Sequence, residues 1–344
     1  MAYTTIDDPA LYFNTVLYAG TGSEQTVSGV NFSPGLTWLK SRSNGQPNVL
    51  SDSVRGGNKQ LYTADTQAET TYGQYLKSFN SDGFVLGTDS GINQSSQTFV
   101  SWNWKAGGSA SNNTDGNKTI SLSVNTTAGF SVGTYAGTGQ DSTIGHGLGA
   151  VPDWLMIKNR SSGSRKWQLW HNGLTGTNKY LAIDRSDAEL TDTASWDNTA
   201  HSNTVWNTYG SGEANQNNEN FVCYAWTSIK GYSKFGSYTG NGNADGTFVH
   251  LGFKPAWFMV KRIDAADSWG MFDNKRDPHN QVGGRFWGNE ADTESTGQAM
   301  DFLSNGFKLR AANAYWNANG GTYVYFAFAE SPLVNSEGIP NNAR

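Results

Sequence analysis

The chain has 344 residues, with 24 basic and 29 acidic side chains, a formal net charge of −5 and a charged fraction of only 15%. It has no basic stripe, which counts against a nucleic-acid partner, and no apolar run near the ~18 residues that cross a bilayer, which counts against membrane insertion. Aromatics at 13% and 41 glycines, set among Asn, Ser and Thr, suit an all-β protein with many turns and a neutral polar surface.

In chain order, residues 1–11 ("MAYTTIDDPAL") read as an N-terminal arm. They lack a basic n-region and an apolar h-region, so the expectation is synthesis in a cytoplasm with no signal peptide. A β repeat is predicted over 12–106. It opens on "YAGTG" (18–22), continues through "PGLTWLK" (34–40), Asp52…Arg55 and "FNSDGFVL" (79–86), and closes on "FVSWNW" (99–104). The Gly/Ser/Asn stretch 107–119 reads as a linker. The second repeat, 120–230, carries "YAGTG" (135–139), "PDWLMIK" (152–158) and "FVCYAW" (221–226). The third, 231–330, carries "YTGNG" (238–242), "PAWFMVK" (255–261), Asp273…Arg276, "FLSNGFKL" (302–309) and "YVYFAF" (323–328), and 331–344 reads as a C-terminal tail. The second boundary is short, so repeats two and three should pack closely.

The proline-led runs read as strands, because proline is tolerated at a strand start and the runs are aromatic and branched. In the closing strands, side chains alternate between faces. One face carries Val100, Trp102, Trp104, then Val222, Tyr224, Trp226, then Val324, Phe326, Phe328. An order kept three times predicts three tandem β-sandwiches, jelly-roll-like, each with its own core, and equivalent buried positions for Trp102, Tyr224 and Phe326. Asp82-Gly83 and Asn305-Gly306 predict tight turns. In the second repeat, spacing puts Thr204-Val205 in place of the Gly-Phe pair, and Trp170-His171 where the others have D-x-x-R.

Little in the chain points to catalysis. No histidine pair has metal-ligand spacing, and no nucleophile elbow is present, so no catalytic, cofactor-binding or metal residue is nominated and no cofactor is expected. Cys223, the one cysteine, excludes an internal disulfide and reads as a small buried residue. "GHGLG" (145–149) leads to a strand and reads as a turn. Asp115-Gly116-Asn117 and Asp245-Gly246 hint at calcium loops but also read as turns. The D-x-x-R pair can hold a sugar, though an intra-unit ion pair or turn clamp is preferred. Four aromatics stand in Asn/Gly-rich surroundings outside the repeated strands: Trp196, Trp287, Tyr315 and Trp316. Such loop rings can stack on sugars or anchor proteins, which makes these four the candidate receptor contacts. The competing reading is that they plug a unit–unit interface.

The joint pattern of Y-x-G-x-G, P-x-x-x-x-x-K, "SDSVRGGNKQLY", "FNSDGF", "FVSWNWKAGG" and "GYSKFGSYTGNG" resembles a triplicated-repeat family of virion structural proteins from marine cyanophages and related bacteriophages, over residues 12–330. The resemblance implies a non-enzymatic virion protein, a tail-fibre or tail-tip component that contacts a host surface glycan or outer-membrane receptor. The alternative it leaves is a capsid decoration or tail-assembly adaptor with no host ligand. Its partners would be other virion proteins. Homo-oligomerisation stays open, because phage fibres are often trimers and three units in one chain can mimic one.

Overall fold

The repeated order of motifs becomes a repeated order of strand pairing. The computed structural model describes residues 2–341, apart from 193, 194, 197, 211 and 298. In unit 1 the first strand, Phe13–Ala19, pairs with the closing strand, Thr98–Trp104. The closing strand then pairs with the proline-led strand Leu36–Ser41, and the sheet continues through Val49–Asp52, Lys59–Tyr62 and Thr70–Thr71. A smaller sheet of Gln25–Val27, Gly83–Leu86 and Leu76–Asn80 lies beside it. Unit 3 repeats this with Ser233–Thr239, Thr322–Pro332, Phe253–Arg262, Gly270–Asp273 and Phe286–Trp287, and with a small sheet of Phe248–His250, Gly306–Leu309 and Met300–Leu303. Unit 2 uses Phe130–Ala136, Asn220–Trp226, Trp154–Asn159 and Gln168–His171, with Ser142–Gly145 paired to Val205–Thr208. All named pairs are antiparallel. First strand joins last and second joins next-to-last, the nested wrapping of a jelly-roll-like sandwich.

Three expectations need correction. The stretch 107–119 is more than a linker: Ser111–Asn113 pairs with Ile120–Asn125 and widens the sheet of unit 2. Pro255 does not open its strand but sits inside Phe253–Arg262 at a bulge, where a residue without an N–H is tolerated. In unit 2 the residues that replace Gly-Phe are Val205-Trp206, not Thr204-Val205. Ile144 faces Trp206 across the sheet as Val27 faces Phe84 and Val249 faces Phe307. Spacing misplaced the pair because the loop before it differs in length.

The main correction concerns the core. The residues Val100, Trp102, Trp104 and their counterparts are buried as expected, but they do not fill three separate sandwiches. They meet in one core shared by all three units. There Trp154 of unit 2 stacks on Trp226 at 4.0 Å and meets Phe326 of unit 3 at 4.4 Å, while Trp104 of unit 1 lies 6.0 Å from Trp226 and 5.6 Å from Phe328. Each sandwich packs its small sheet against the opposite face of the closing strand. Phe221, Cys223 and Ala225 do this in unit 2, and Tyr323, Tyr325 and Ala327 in unit 3. A sheet buried on both faces explains why both faces of these strands are apolar or compact.

The N-terminal segment is docked: Ile6 enters the shared core, and the Tyr3 hydroxyl donates to Gly252 O at 2.9 Å. The C-terminal segment lies against it through Ser336 and Asp7. Tail residues 342–344 lie outside the described residues.

Candidate functional site

The opening turn "Y-x-G-x-G" is a structural clamp in all three units. Its tyrosine stacks on the first residue of the closing-strand motif: Tyr18 on Phe99 at 5.2 Å, Tyr135 on Phe221 at 5.1 Å, Tyr238 on Tyr323 at 5.0 Å. The second glycine has positive φ (71°, 68° and 64° at Gly22, Gly139 and Gly242), which glycine adopts without strain. A buried asparagine holds each turn. Its side-chain oxygen accepts the N–H between the glycines, from Thr21 to Asn93, Thr138 to Asn215 and Asn241 to Asn317, each at 2.9 Å. Its amide nitrogen donates to nearby carbonyls, such as Gly87 O and Gln140 O. Sequence reasoning missed these asparagines. The signal was present: each stands six residues before Phe99, Phe221 or Tyr323.

The D-x-x-R pairs join the units. Asp52 and Arg55 pair within unit 1, and the hydroxyl of Tyr224 in unit 2 donates to Asp52 Oδ2 at 2.7 Å. Asp273 and Arg276 pair within unit 3, and Trp102 Nε1 of unit 1 donates to Asp273 Oδ2 at 3.0 Å. In unit 2 His171 stands at the equivalent place and meets Phe326 of unit 3 edge-on at 4.7 Å. The contact thus runs from unit 1 to 2, from 2 to 3, and from 3 back to 1. Head-to-tail contacts that close in this way make a ring, here within one chain. Where the acid is missing, the facing aromatic also lacks a donor, and both His171 ring nitrogens are bonded, to Tyr325 O and the Gly173 N–H.

Further contacts follow the same cycle. The motif lysines reach carbonyls of the neighbouring unit: Lys40 to Glu290 O, Lys158 to Thr66 O, Lys261 to Ser186 O. Burial pulls all three down to about 8. Glu69 bridges Arg55 of its own unit and Arg160 of unit 2. Burial opposes its ionisation, but the bonds and charges of the two arginines outweigh that and hold it below the usual range. Glu294 likewise bridges Arg276 of its own unit and Arg42 of unit 1.

Family membership follows the same span. The chain matches the family described as Domain of unknown function (DUF7483) over residues 8–332. The chain belongs to this family. The matched span takes in all three units, so the DUF7483 domain corresponds to the closed ring and not to one sandwich. No curated protein matches the chain.

The four candidate aromatics of this DUF7483 chain separate. Trp196 is fully buried in the sandwich core of unit 2, beside His201 at 5.6 Å. It lies before Val205–Thr208, where units 1 and 3 place the third strand of their small sheets, and its ring fills core instead of facing solvent. Trp316 is also buried. Its carbonyl accepts the Tyr238 hydroxyl as Ile92 O accepts Tyr18, so it occupies a repeated apolar position that happens to hold an indole. Neither indole can therefore serve as a surface contact. Trp287 is half-buried and Tyr315 is exposed. Their rings lie 4.7 Å apart, with the Arg285 guanidinium 5.3 Å from the Trp287 ring. The backbone of Trp287 serves the interface, since Asn48 of unit 1 donates to its carbonyl at 3.0 Å.

Cys223 is buried, and burial pushes its thiol far above the range where a thiolate forms. His146 accepts the Leu148 N–H inside "GHGLG", which leaves the strand Ser142–Gly145 as an irregular loop and opens no helix. Asp245 pairs with Lys308 at 2.8 Å, and among the described residues no three His, Cys, Asp or Glu side chains gather as metal ligands.

Proposed function

We propose that this chain is a non-enzymatic virion protein of a marine bacteriophage, a tail-fibre or tail-tip component that binds a host-surface glycan or outer-membrane receptor. The observation that carries the reading is the Trp287–Tyr315 ring pair, with Arg285 beside it, on the outside of unit 3. An exposed tyrosine ring beside a half-buried indole and a cation suits stacking on a sugar ring. The closed three-unit ring supports the structural side of the reading, because it presents the surface on one rigid body without needing two further chains. Binding at one site would be weak and would gain from several copies on a particle.

The test is adsorption of labelled, purified protein to a panel of marine cyanobacteria. Trp287→Ala with Tyr315→Ala should lower binding while one cooperative melt remains. Undiminished binding removes the ring pair as the contact. No binding by the unaltered protein, together with antibody labelling of capsids instead of tails, moves the assignment to a decoration protein.

A further inference from the structure

We propose that a cleft in unit 1, between the strand Lys59–Tyr62 and the short helix Ser90–Asn93, binds a single pyranose ring through its hydroxyls, with Gln60 as the buried anchor. The cleft has a volume of about 240 Å³. At ~30 Å³ per liquid water this equals roughly eight waters, about the bulk of one sugar ring. Gln46, Gln60, Tyr62, Asp65, Gln67 and Asp89 line it.

Gln60 carries the argument. It is 1% exposed, and neither its amide oxygen nor its amide nitrogen has a partner in the protein. A buried amide with both ends unpaired is destabilising unless water or a ligand completes it. Alternation along the strand puts Gln60 on the face of Tyr62, whose cross-strand neighbour is Val49, and all three line the cleft. Both lining carboxylates are held in place. Asp65 accepts both the backbone N–H and the side-chain amide of Gln67, each at 2.9 Å. Asp89 accepts the Gly91 N–H at 3.0 Å, and burial pushes its carboxyl up.

The residue at position 91 sets this cleft apart from the matching places in the other two units. Ile92, Ala214 and Trp316 are equivalent, since each carbonyl accepts the hydroxyl of the turn tyrosine. The preceding residues are therefore Gly91, Glu213 and Tyr315. A side chain at Gly91 would crowd the cleft wall, since a Cβ there would lie 3.0 Å from Asp89 Oδ1 and 3.8 Å from Gln46 Oε1. Planar amides and carboxylates bond pairs of neighbouring hydroxyls, and the Tyr62 ring offers an apolar wall for the C–H face of a sugar. Two carboxylates disfavour an anionic ligand.

This inference gives the proposed glycan reading a ligand class and rests on it only for the source of the sugar. The test uses full-length protein and methyl pyranosides, free of cells, followed by saturation-transfer NMR. At least one glycoside should show transfer, and Gln60→Ala or Gly91→Tyr should weaken it about tenfold or more. Gly91→Tyr should fold, because Tyr315 already occupies the equivalent place with its N–H capped by Asn313. Trp287→Ala with Tyr315→Ala should leave the signal intact. An absence of transfer from every glycoside to unaltered protein, meaning that only water fills the cleft, overturns the proposal, as does transfer that survives both cleft substitutions. Glycoside binding without adsorption to cells would sink the host-surface reading and keep the cleft. Oligosaccharides that bind while methyl glycosides of their terminal sugars do not would place recognition elsewhere.

Discussion

Replacing Tyr224 by Phe removes one oxygen from the junction of units 1 and 2. The hydroxyl donates to Asp52 Oδ2 at 2.7 Å and accepts from Arg55 Nη2 at 3.2 Å, and all three side chains are buried. Asp52 keeps Arg55 Nε and the backbone N–H groups of Val54 and Arg55, while Arg55 Nη2 keeps Leu50 O. The ion pair therefore survives, and the loss is one hydrogen bond to a charged group, about 1.5–3 kcal/mol. At ~2.1 cal/mol/K per residue, the unfolding entropy of 344 residues is about 0.7 kcal/mol/K, so the melting point should fall by about 2–4 °C if the ring melts as one unit. Scanning calorimetry at neutral pH measures both the shift and the number of transitions. The converse change, Phe326→Tyr, should also destabilise. Its hydroxyl would face His171, whose Nε2 already bonds Tyr325 O and whose Nδ1 already accepts the Gly173 N–H. An unchanged melting point for Tyr224→Phe, or a stabilising Phe326→Tyr, would refute the matched-pair account of the junctions.

Other outcomes follow from the same contacts. Asn317→Ala strands the Asn241 N–H and the carbonyls of Asn243 and Ala311, and should cost at least about 1–3 kcal/mol in urea unfolding; Ala314→Ser, in an exposed place nearby, should cost far less. Phe326→Ala should cost about 3–5 kcal/mol and Thr322→Ala, at the edge of the same strand, much less; equal shifts would remove Phe326 from the core. Burial lowers His171 to about 3 and His201 to about 4. Against an unfolded value of about 6.5, the unfolded chain gains protons first, so stability is full above about pH 6.5 and is lost towards pH 4, by up to ~1.4 kcal/mol per unit for each histidine. Asp184, pushed up to about 6, works the opposite way as pH falls below 6. His171→Gln should therefore flatten the urea-midpoint profile over pH 4–6.5, and an unaltered slope would show that His171 is not held neutral.

Local chemistry and period determined much of this protein from sequence alone. Alternation in "FVSWNW", "FVCYAW" and "YVYFAF" was enough to place buried strands and pick out Trp102, Tyr224 and Phe326, because a period of two follows from backbone geometry. Glycines in "YAGTG" marked turns for an equally local reason. The pairing of D with R three residues on was also readable, since both groups sit in one turn of chain. What alternation cannot say is which body covers a face. Val100, Trp102 and Trp104 would look the same packed on their own small sheet or on two other units, and only tertiary structure assigned them to the shared core. The same holds for Tyr224 against Asp52, partners 172 residues apart that periodicity does not link. Polar neighbours in sequence suggest exposure for Trp196 and Trp316, but both are buried, because burial is set by what folds over a side chain. The unpaired amide of Gln60 was beyond sequence altogether: whether a polar atom is satisfied depends on distances between strands and loops that the chain brings together only when folded.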